Sequence, residues 1–410
     1  MPARRILLAD ADAFFVAVAR MADPEGAGRT PLLIVGGRPG GRGVVCSASY
    51  ETRAFGVRSA MPIDQALRLC PDALCIPVPR QACSTTSRAI AAVLMRFTPV
   101  VEGASIDEWY LDLSGTESLY KGEPFEETAI RVRLEVQRET GMWLSIGGGT
   151  SKLVAKLAAE RAKPRPDVGG SGVRIIAAGE EEAFLRGLTL AEIPGIGPKL
   201  QQRLRGLGLV RVEDVLPHER ATLARWLGRR PAEWLWARVR GIHTSPVEAR
   251  AAARQMSRET TFSKDVRETA ALAASLRGLA ARVGAELRHD RLGARTVTVK
   301  VKDMDFTTRL ASRTLPEPLE SDRAIAEVAV SLLGKLRSAR QVPARLVGVA
   351  LGNFVPARDA EQLALFGGAP QLERPQDRAV SRAMDRVRER FGSEAIRSGT
   401  RGGAAQQRPS

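Results

Sequence analysis

The chain has 410 residues, with 62 Lys+Arg against 46 Asp+Glu and a net charge of +16. Its 44% hydrophobic and 26% charged content excludes disorder throughout and supplies apolar mass for roughly two to four domains. The basic balance points to a polyanion, with nucleic acid ahead of an anionic membrane surface, because no run of roughly 18 apolar residues exists for a membrane span.

The N-terminus enters a strand-like segment without a signal-peptide pattern, so a cytoplasmic location is expected. Cys46, Cys70, Cys75 and Cys83 form no CxxC pair, and His218, His243 and His289 lie far from them in sequence. That spacing excludes a zinc site and leaves buried free thiols in a reducing compartment. The charge is uneven along the chain. Residues 1–187 hold 23 basic and 22 acidic side chains, residues 188–246 hold 10 and 5, and residues 256–345 hold 17 and 11. A chain that separates its chemistry from its grip on a polyanion would show this asymmetry, and so would a generic Arg-rich surface.

In chain order, Arg5–Ala9 predicts a buried strand, ended by Asp10-Ala-Asp12 and followed by a helix from Ala13. Leu32–Val35 and Val44-Val45 predict strands around the Gly-rich turn Gly36–Gly43. That turn lacks the G-K-[ST] ending of a P-loop and reads as a hairpin. Helices are predicted over Pro62–Leu69, Arg80–Phe97, Glu126–Glu139 and Ser151–Arg161, with a hairpin over Val100–Ser114 and a strand over Trp143–Ile146. Residues 188–240 read as a small helical domain. Beyond a linker, strands Ser257–Phe262, Thr296–Lys302, Thr307–Thr314 and Leu346–Leu351 with helices Thr269–His289 and Ser321–Ser338 predict a two-layer α+β unit. In the polar tail, Ala379–Phe391 carries Val380, Met384, Val387 and Phe391 on one helical face. A docked helix and a free amphipathic tail both fit it.

Four constellations bear on chemistry. Asp10 and Asp12 end one strand, and Asp107-Glu108 sit in a second. Carboxylates gathered at strand ends repel unless a cation lies between them, and such hard oxygen donors suit Mg²⁺. Solvated strand-end acids would look the same. Tyr50, Arg53 and Lys163 are donors suited to a triphosphate. Ile193-Pro-Gly-Ile-Gly197-Pro-Lys199 resembles a helix-hairpin-helix module, which grips DNA phosphates without reading sequence; a plain helix–helix turn is the other reading. Gln362-Leu363-Ala-Leu365-Phe366, an apolar peptide in a polar tail, resembles the bacterial sliding-clamp-binding peptide.

Taken together, the segments Asp10–Phe15, Ser47–Pro62, Ser105–Asp112, Ser145–Lys156 and Lys163-Pro164 resemble, in order, those of the Y-family translesion DNA polymerases, closest to the bacterial DNA polymerase IV type. The resemblance spans roughly residues 4–366 and implies a multidomain α+β right-hand fold. Its parts would be a palm (1–24 and 78–168), fingers (25–77), a thumb (169–246, with the helix-hairpin-helix at 188–209) and an α+β little finger (250–357), followed by a flexible tail (358–410).

It further implies template-directed, error-prone synthesis without proofreading, by two-metal nucleotidyl transfer. Asp10, Asp107, Glu108 and the Ala11 carbonyl would hold two Mg²⁺, with Mn²⁺ a possible substitute. Phe15 would be the steric gate against ribonucleotides; Ser47, Tyr50, Arg53 and Lys163 would contact the triphosphate; Gly195, Gly197 and Lys199 would contact DNA; and Gln362, Leu363, Leu365 and Phe366 would bind the clamp. Asp12 matches a motif position that is not a ligand in that family. Small side chains at Ser59 and Ala60 would leave room over the nascent pair. The expected partners are primer-template DNA, deoxynucleoside triphosphates and the sliding clamp, with a monomer and no membrane. Four positions depart from the family's pattern, namely Ala11, Ala19, Cys83 and Ser151, and none removes a metal ligand or the gate. The alternative is a catalytically inactive, clamp-tethered adaptor of the same fold.

Overall fold

The computed structural model describes residues 3–120, 122–164, 171–249, 253–357, 372–392 and 395–396. The chain divides into two compact units, Met1–Ala251 and Ala252–Ser410. No described helix is long and apolar enough to cross a membrane.

In the first unit, β1 (Ile6–Ala11) leads into α1 (Phe14–Ala22). β2 (Leu33–Gly36), β3 (Val45–Ala48), α2 (Tyr50–Ala54), α3 (Ile63–Leu69) and β4 (Leu74–Pro77) follow and make a small three-stranded sheet in the order β3-β2-β4. Next come α4 (Arg80–Leu94), β5 (Val101–Gly103), β6 (Glu108–Asp112), α5 (Phe125–Thr140), β7 (Leu144–Gly149), α6 (Lys152–Ala162) and β8 (Val173–Ile175). These build a five-stranded sheet in the order β5-β6-β1-β7-β8. Val173–Ile175, expected to open the thumb, pairs parallel with β7 and so extends this sheet. Five short helices follow: α7 (Glu181–Arg186), α8 (Pro198–Arg205), α9 (Val212–Val215), α10 (Arg220–Leu227) and α11 (Arg229–Arg238).

β1 is the central strand, and both of its faces are covered, which is why it reads as a continuous apolar run. Leu7, Ala9 and Ala11 pack with residues of α1, α4 and α5. Ile6 and Leu8, on the opposite face, pack with Tyr110, Ala155 and Ala159, so α6 lies across that face. Ser151 caps α6, its hydroxyl accepting the Val154 N–H at 3.3 Å. Gly147 on β7 is what lets α6 come close. A Cβ there would stand 2.1 Å from the Ala155 carbonyl oxygen and 2.1 Å from the Ala159 nitrogen.

The second unit contains β9 (Gln255–Val266), α12 (Thr269–His289), β10 (Leu292–Asp303), β11 (Thr308–Leu319), α13 (Asp322–Ala339), β12 (Ala344–Pro356) and α14 (Pro375–Phe391). Its antiparallel sheet runs β11-β10-β12-β9. α12 and α13 cover one face, and Leu276, Val283, Ile325 and Leu332 meet Val297, Val299, Val347 and Val349 there. The strands are longer than the sequence predicts, because their ends lie beyond the buried core, where alternation fades into polar residues.

The tail expectation is corrected over α14, which is docked rather than free. Ser381 and Met384 are buried, while Val380 is 58% and Phe391 65% exposed, so the middle of the apolar face is docked and its ends are not. Charges hold the helix as well. The Arg288 guanidinium donates to Asp385 at 2.6 and 2.9 Å and reaches Asp322 at 2.9 Å. Arg323 pairs with Asp377 at 2.7 Å. The Glu373 carboxylate accepts the Glu320 and Ser321 N–H groups just ahead of α13. Gln362, Leu363, Leu365 and Phe366 lie outside the described residues.

Candidate active site

The antiparallel register of β1 and β6 places Asp10 opposite Glu108, and that of β1 and β7 places Asp10 opposite Ser145. One residue on, the Ala11 N–H donates to the Asp107 carbonyl at 2.9 Å. Asp10, Ala11, Asp107 and Glu108 are thereby brought to one end of two paired strands. The Asp107 carboxylate accepts the Ser105 hydroxyl, and its own N–H donates back to that hydroxyl at 3.2 Å.

By alternation, Asp10 lies on the Ile6–Leu8 face, beneath α6. Three lysines of the α6 segment, spaced at 152, 156 and 163, lie along one helical stripe, and each meets a carboxylate of the sheet. Lys152 contacts Glu102 at 2.6 Å, Lys156 contacts both oxygens of Glu108 at 2.6 and 2.7 Å, and Lys163 contacts Asp10 at 2.9 Å. Lys163 also holds Glu160, at 2.6 Å. Burial is the largest influence on Asp10, which is 6% exposed. It pushes the carboxyl up to about 7, against the pull of Lys163 and helped by Glu108 and Glu160. Burial works against the Lys163 charge, yet Asp10 and Glu160 together hold it above the usual lysine range.

Asp12 stands just past β1. Its Oδ1 accepts the Ser145 hydroxyl at 2.6 Å, while Oδ2 is buried without a hydrogen-bond partner. Burial raises its carboxyl, and the Ser145 bond lowers it. Tyr50 opens α2, and its phenol is raised by burial and by the nearby charge of Asp12. Asp10 and Lys163 act on it as well, so the donor set and the acidic set share one neighbourhood. The Arg53 guanidinium lies 4.9 Å above the Tyr50 ring, its Nε donating to the Ala48 carbonyl at 2.9 Å. Ser47 is buried on β3. Phe15 sits half-buried on α1, edge-on to Phe14 at 5.5 Å.

Gly195, Gly197 and Lys199 lie apart from this cluster in sequence, at the turn into α8. Gly195 has φ +99°, and a Cβ there would strike the Trp234 ring at 2.7 Å. Gly197 precedes Pro198, the first residue of α8. Sequence reading missed Lys156, Ser105 and Ser145; the spacing of Lys152 and Lys156, four apart on one helix, was the available signal.

Among the described residues, no three His, Cys, Asp or Glu side chains already form a metal cage. The donors nonetheless suit a hard divalent cation: they are carboxylates and a backbone carbonyl, gathered where β1 and β6 end side by side.

Comparison with known proteins decides the family. The pattern of the impB/mucB/samB family matches residues 9–160, its helix-hairpin-helix motif residues 178–209, and its C-terminal domain residues 253–365. DNA polymerase IV of Dehalococcoides mccartyi strain CBDB1 is 36% identical over 402 residues, covering 97% of this chain and 98% of that one. The chain belongs to the Y family of DNA polymerases, in its DNA polymerase IV branch. A second relative, DNA polymerase IV of Methanoculleus marisnigri, is 38% identical over 351 residues, covering 85% of this chain and 94% of its own. Among solved structures, a Dbh-based Y-family DNA polymerase chimera matches with TM-score 0.76 at 25% identity, covering 86% of this chain and 99% of its own. An insertion ternary complex of Dbh DNA polymerase matches with TM-score 0.60 at 26% identity, covering 86% and 100%. The fold is a mixed α/β polymerase with a helix-hairpin-helix motif and a C-terminal domain. The activity is that of a DNA-directed DNA polymerase of the translesion type, a metal-dependent reaction, and the inactive-adaptor alternative is not favoured.

Proposed function

We propose that this polymerase extends primer-template DNA with deoxynucleoside triphosphates, without proofreading, at the site built on Asp10, Asp107 and Glu108. The observation that carries the reading is the register that sets Asp10 opposite Glu108 with Ala11 bonded to Asp107. Asp10, Asp107, Glu108 and the Ala11 carbonyl hold two Mg²⁺, or Mn²⁺. When bound, the metals supply the positive charge that activates the primer 3′-hydroxyl and neutralises the phosphates.

The remaining roles belong to side chains of this chain. Ser47, Tyr50, Arg53 and Lys163 orient the triphosphate so that the 3′-oxygen attacks its α-phosphorus and pyrophosphate leaves. The Phe15 ring lies under the sugar and excludes a 2′-hydroxyl. Gly195, Gly197 and Lys199 offer backbone N–H groups and a cation to DNA phosphates. Residues 1–24 with 78–168 act as palm, 25–77 as fingers, 169–246 as thumb and 250–357 as little finger. Gln362–Phe366 tether a cytoplasmic monomer to the sliding clamp.

Asp107→Ala tests the site. Primer extension is expected to fall by more than about a hundredfold while DNA affinity holds. Retained extension overturns the assignment.

A further inference from the structure

We propose that Lys163 is an exchangeable counter-ion, holding Asp10 until the triphosphate of a nucleotide draws its ammonium away and so opens Asp10 to a divalent cation. This deepens the site reading above and rests on it.

The geometry gives the reason. The Lys163 ammonium stands 2.9 Å from an Asp10 oxygen, at a buried carboxylate. A cation bound to that oxygen would sit about 2 Å from it and within a few ångströms of the ammonium. Like charges so close in a partly desolvated site repel strongly. Cation and ammonium therefore compete for Asp10.

Lys163 is built to yield. It is the residue that ends α6, with ψ 132°, so its stem is not confined by a following helical turn. Glu160, half exposed and one turn earlier, holds the same ammonium, so leaving Asp10 does not strand the charge. Lys156 differs. It grips both oxygens of Glu108, and among the described residues no second carboxylate meets its ammonium. Lys156 thus serves as the fixed counter-ion and Lys163 as the movable one.

The consequence is a coupling between ligands, reciprocal by thermodynamic linkage. A triphosphate that takes Lys163 tightens the cation at Asp10, and a cation at Asp10 frees Lys163 for the triphosphate. A neutral side chain at 163 should therefore move two affinities in opposite directions, whereas a residue that merely supports the fold would weaken both.

The test is Mn²⁺ titration of the full-length protein without nucleotide or DNA, with free Mn²⁺ read by electron paramagnetic resonance. Lys163→Gln is expected to bind Mn²⁺ at least about fivefold more tightly than the parent at its tightest site. Lys163→Arg, which keeps the charge, should match the parent. In primer extension, the nucleotide KM of Lys163→Gln should rise. Asp10→Asn should remove the tight Mn²⁺ site. Equal or weaker Mn²⁺ binding by Lys163→Gln, with the site lost in Asp10→Asn, overturns the exchange and leaves the site reading standing. Unchanged Mn²⁺ binding in Asp10→Asn overturns both. Lys163→Met carries the same test if the Gln variant does not fold.

Discussion

His243 is a histidine held among cations. Burial is the largest influence on it, and Arg238, Lys152 and Arg4 add to it, so its imidazole stays below the ordinary histidine range. Its Nδ1 is buried without a hydrogen-bond partner. The segment it belongs to is pinned to the five-stranded sheet. Val247 packs with Ile6, Leu8 and Tyr110, and the Glu248 N–H donates to Glu102 at 2.9 Å. Because the folded chain resists protonation of His243, the unfolded chain takes up the proton first as pH falls. Stability is therefore lost as pH drops below about 6.5 toward the lower folded value, and is fully present above that range. Urea midpoints between pH 5 and 8 should show this slope in the parent and a flatter one in His243→Gln. Equal slopes would remove His243 from the account.

At the scale of elements, the packing of α6 on β7 controls the site, because α6 carries Lys152, Lys156 and the segment leading to Lys163. Gly147 permits that packing, and the atoms its missing Cβ would strike are helix backbone, which cannot step aside as a side chain can. Gly147→Ala should cost about 3 kcal/mol, the upper end of overpacking, and should slow primer extension by moving the lysine stripe off the carboxylates. Gly187, with ordinary φ and nothing within 4 Å, is the control, and its Ala variant should stay within about 0.5 kcal/mol. Equal stabilities of the two variants by urea denaturation would refute the close-approach argument.

The same elements show what was readable in sequence. Helix Thr269–His289 is present at its expected ends because its apolar period is strong. The strand carrying Asp10 is present because a doubly covered strand is a plain apolar run. The lysine–carboxylate pairs were not readable, since Lys163 reaches Asp10 across 153 positions and local spacing sees only neighbours. The docking of α14, one of two readings its sequence left open, could not be decided for another reason. Its Asp385 meets Arg288, which also holds Asp322, and these are charges that a hydropathy pattern assigns to solvent. β8 was too short to register.

For the whole molecule, charge decides how DNA affinity should respond to salt. Residues 1–187 are almost balanced, and in that part the sheet's carboxylates answer the α6 lysines one for one. The surplus lies beyond residue 187. In the second unit, several arginines are consumed by structure: Arg288 and Arg323 hold α14, while Arg309 and Arg340 neutralise the buried Asp303. Lys264, Arg267 and Arg313 are instead exposed on or beside the strands of the sheet. The face not covered by α12 and α13 carries hydroxyls and charges side by side, with Thr296 bonded to Thr314 at 2.9 Å, Thr298 to Ser312 at 2.8 Å and Lys300 paired with Glu259 at 3.0 Å. Hydroxyls and exposed cations are the groups that contact a phosphate backbone. Each phosphate contact releases counter-ions and contributes about 0.9 to the slope of log affinity against log salt on duplex DNA. Changing Lys264, Arg267 and Arg313 to Gln together should therefore lower that slope by up to about 2.7, and leave the extension rate at saturating DNA intact. Asp10→Asn should do the reverse, leaving the slope and removing the rate. Fluorescence anisotropy of labelled primer-template across a salt series measures the slope. A triple variant with the parent's slope would place the DNA grip on other cations.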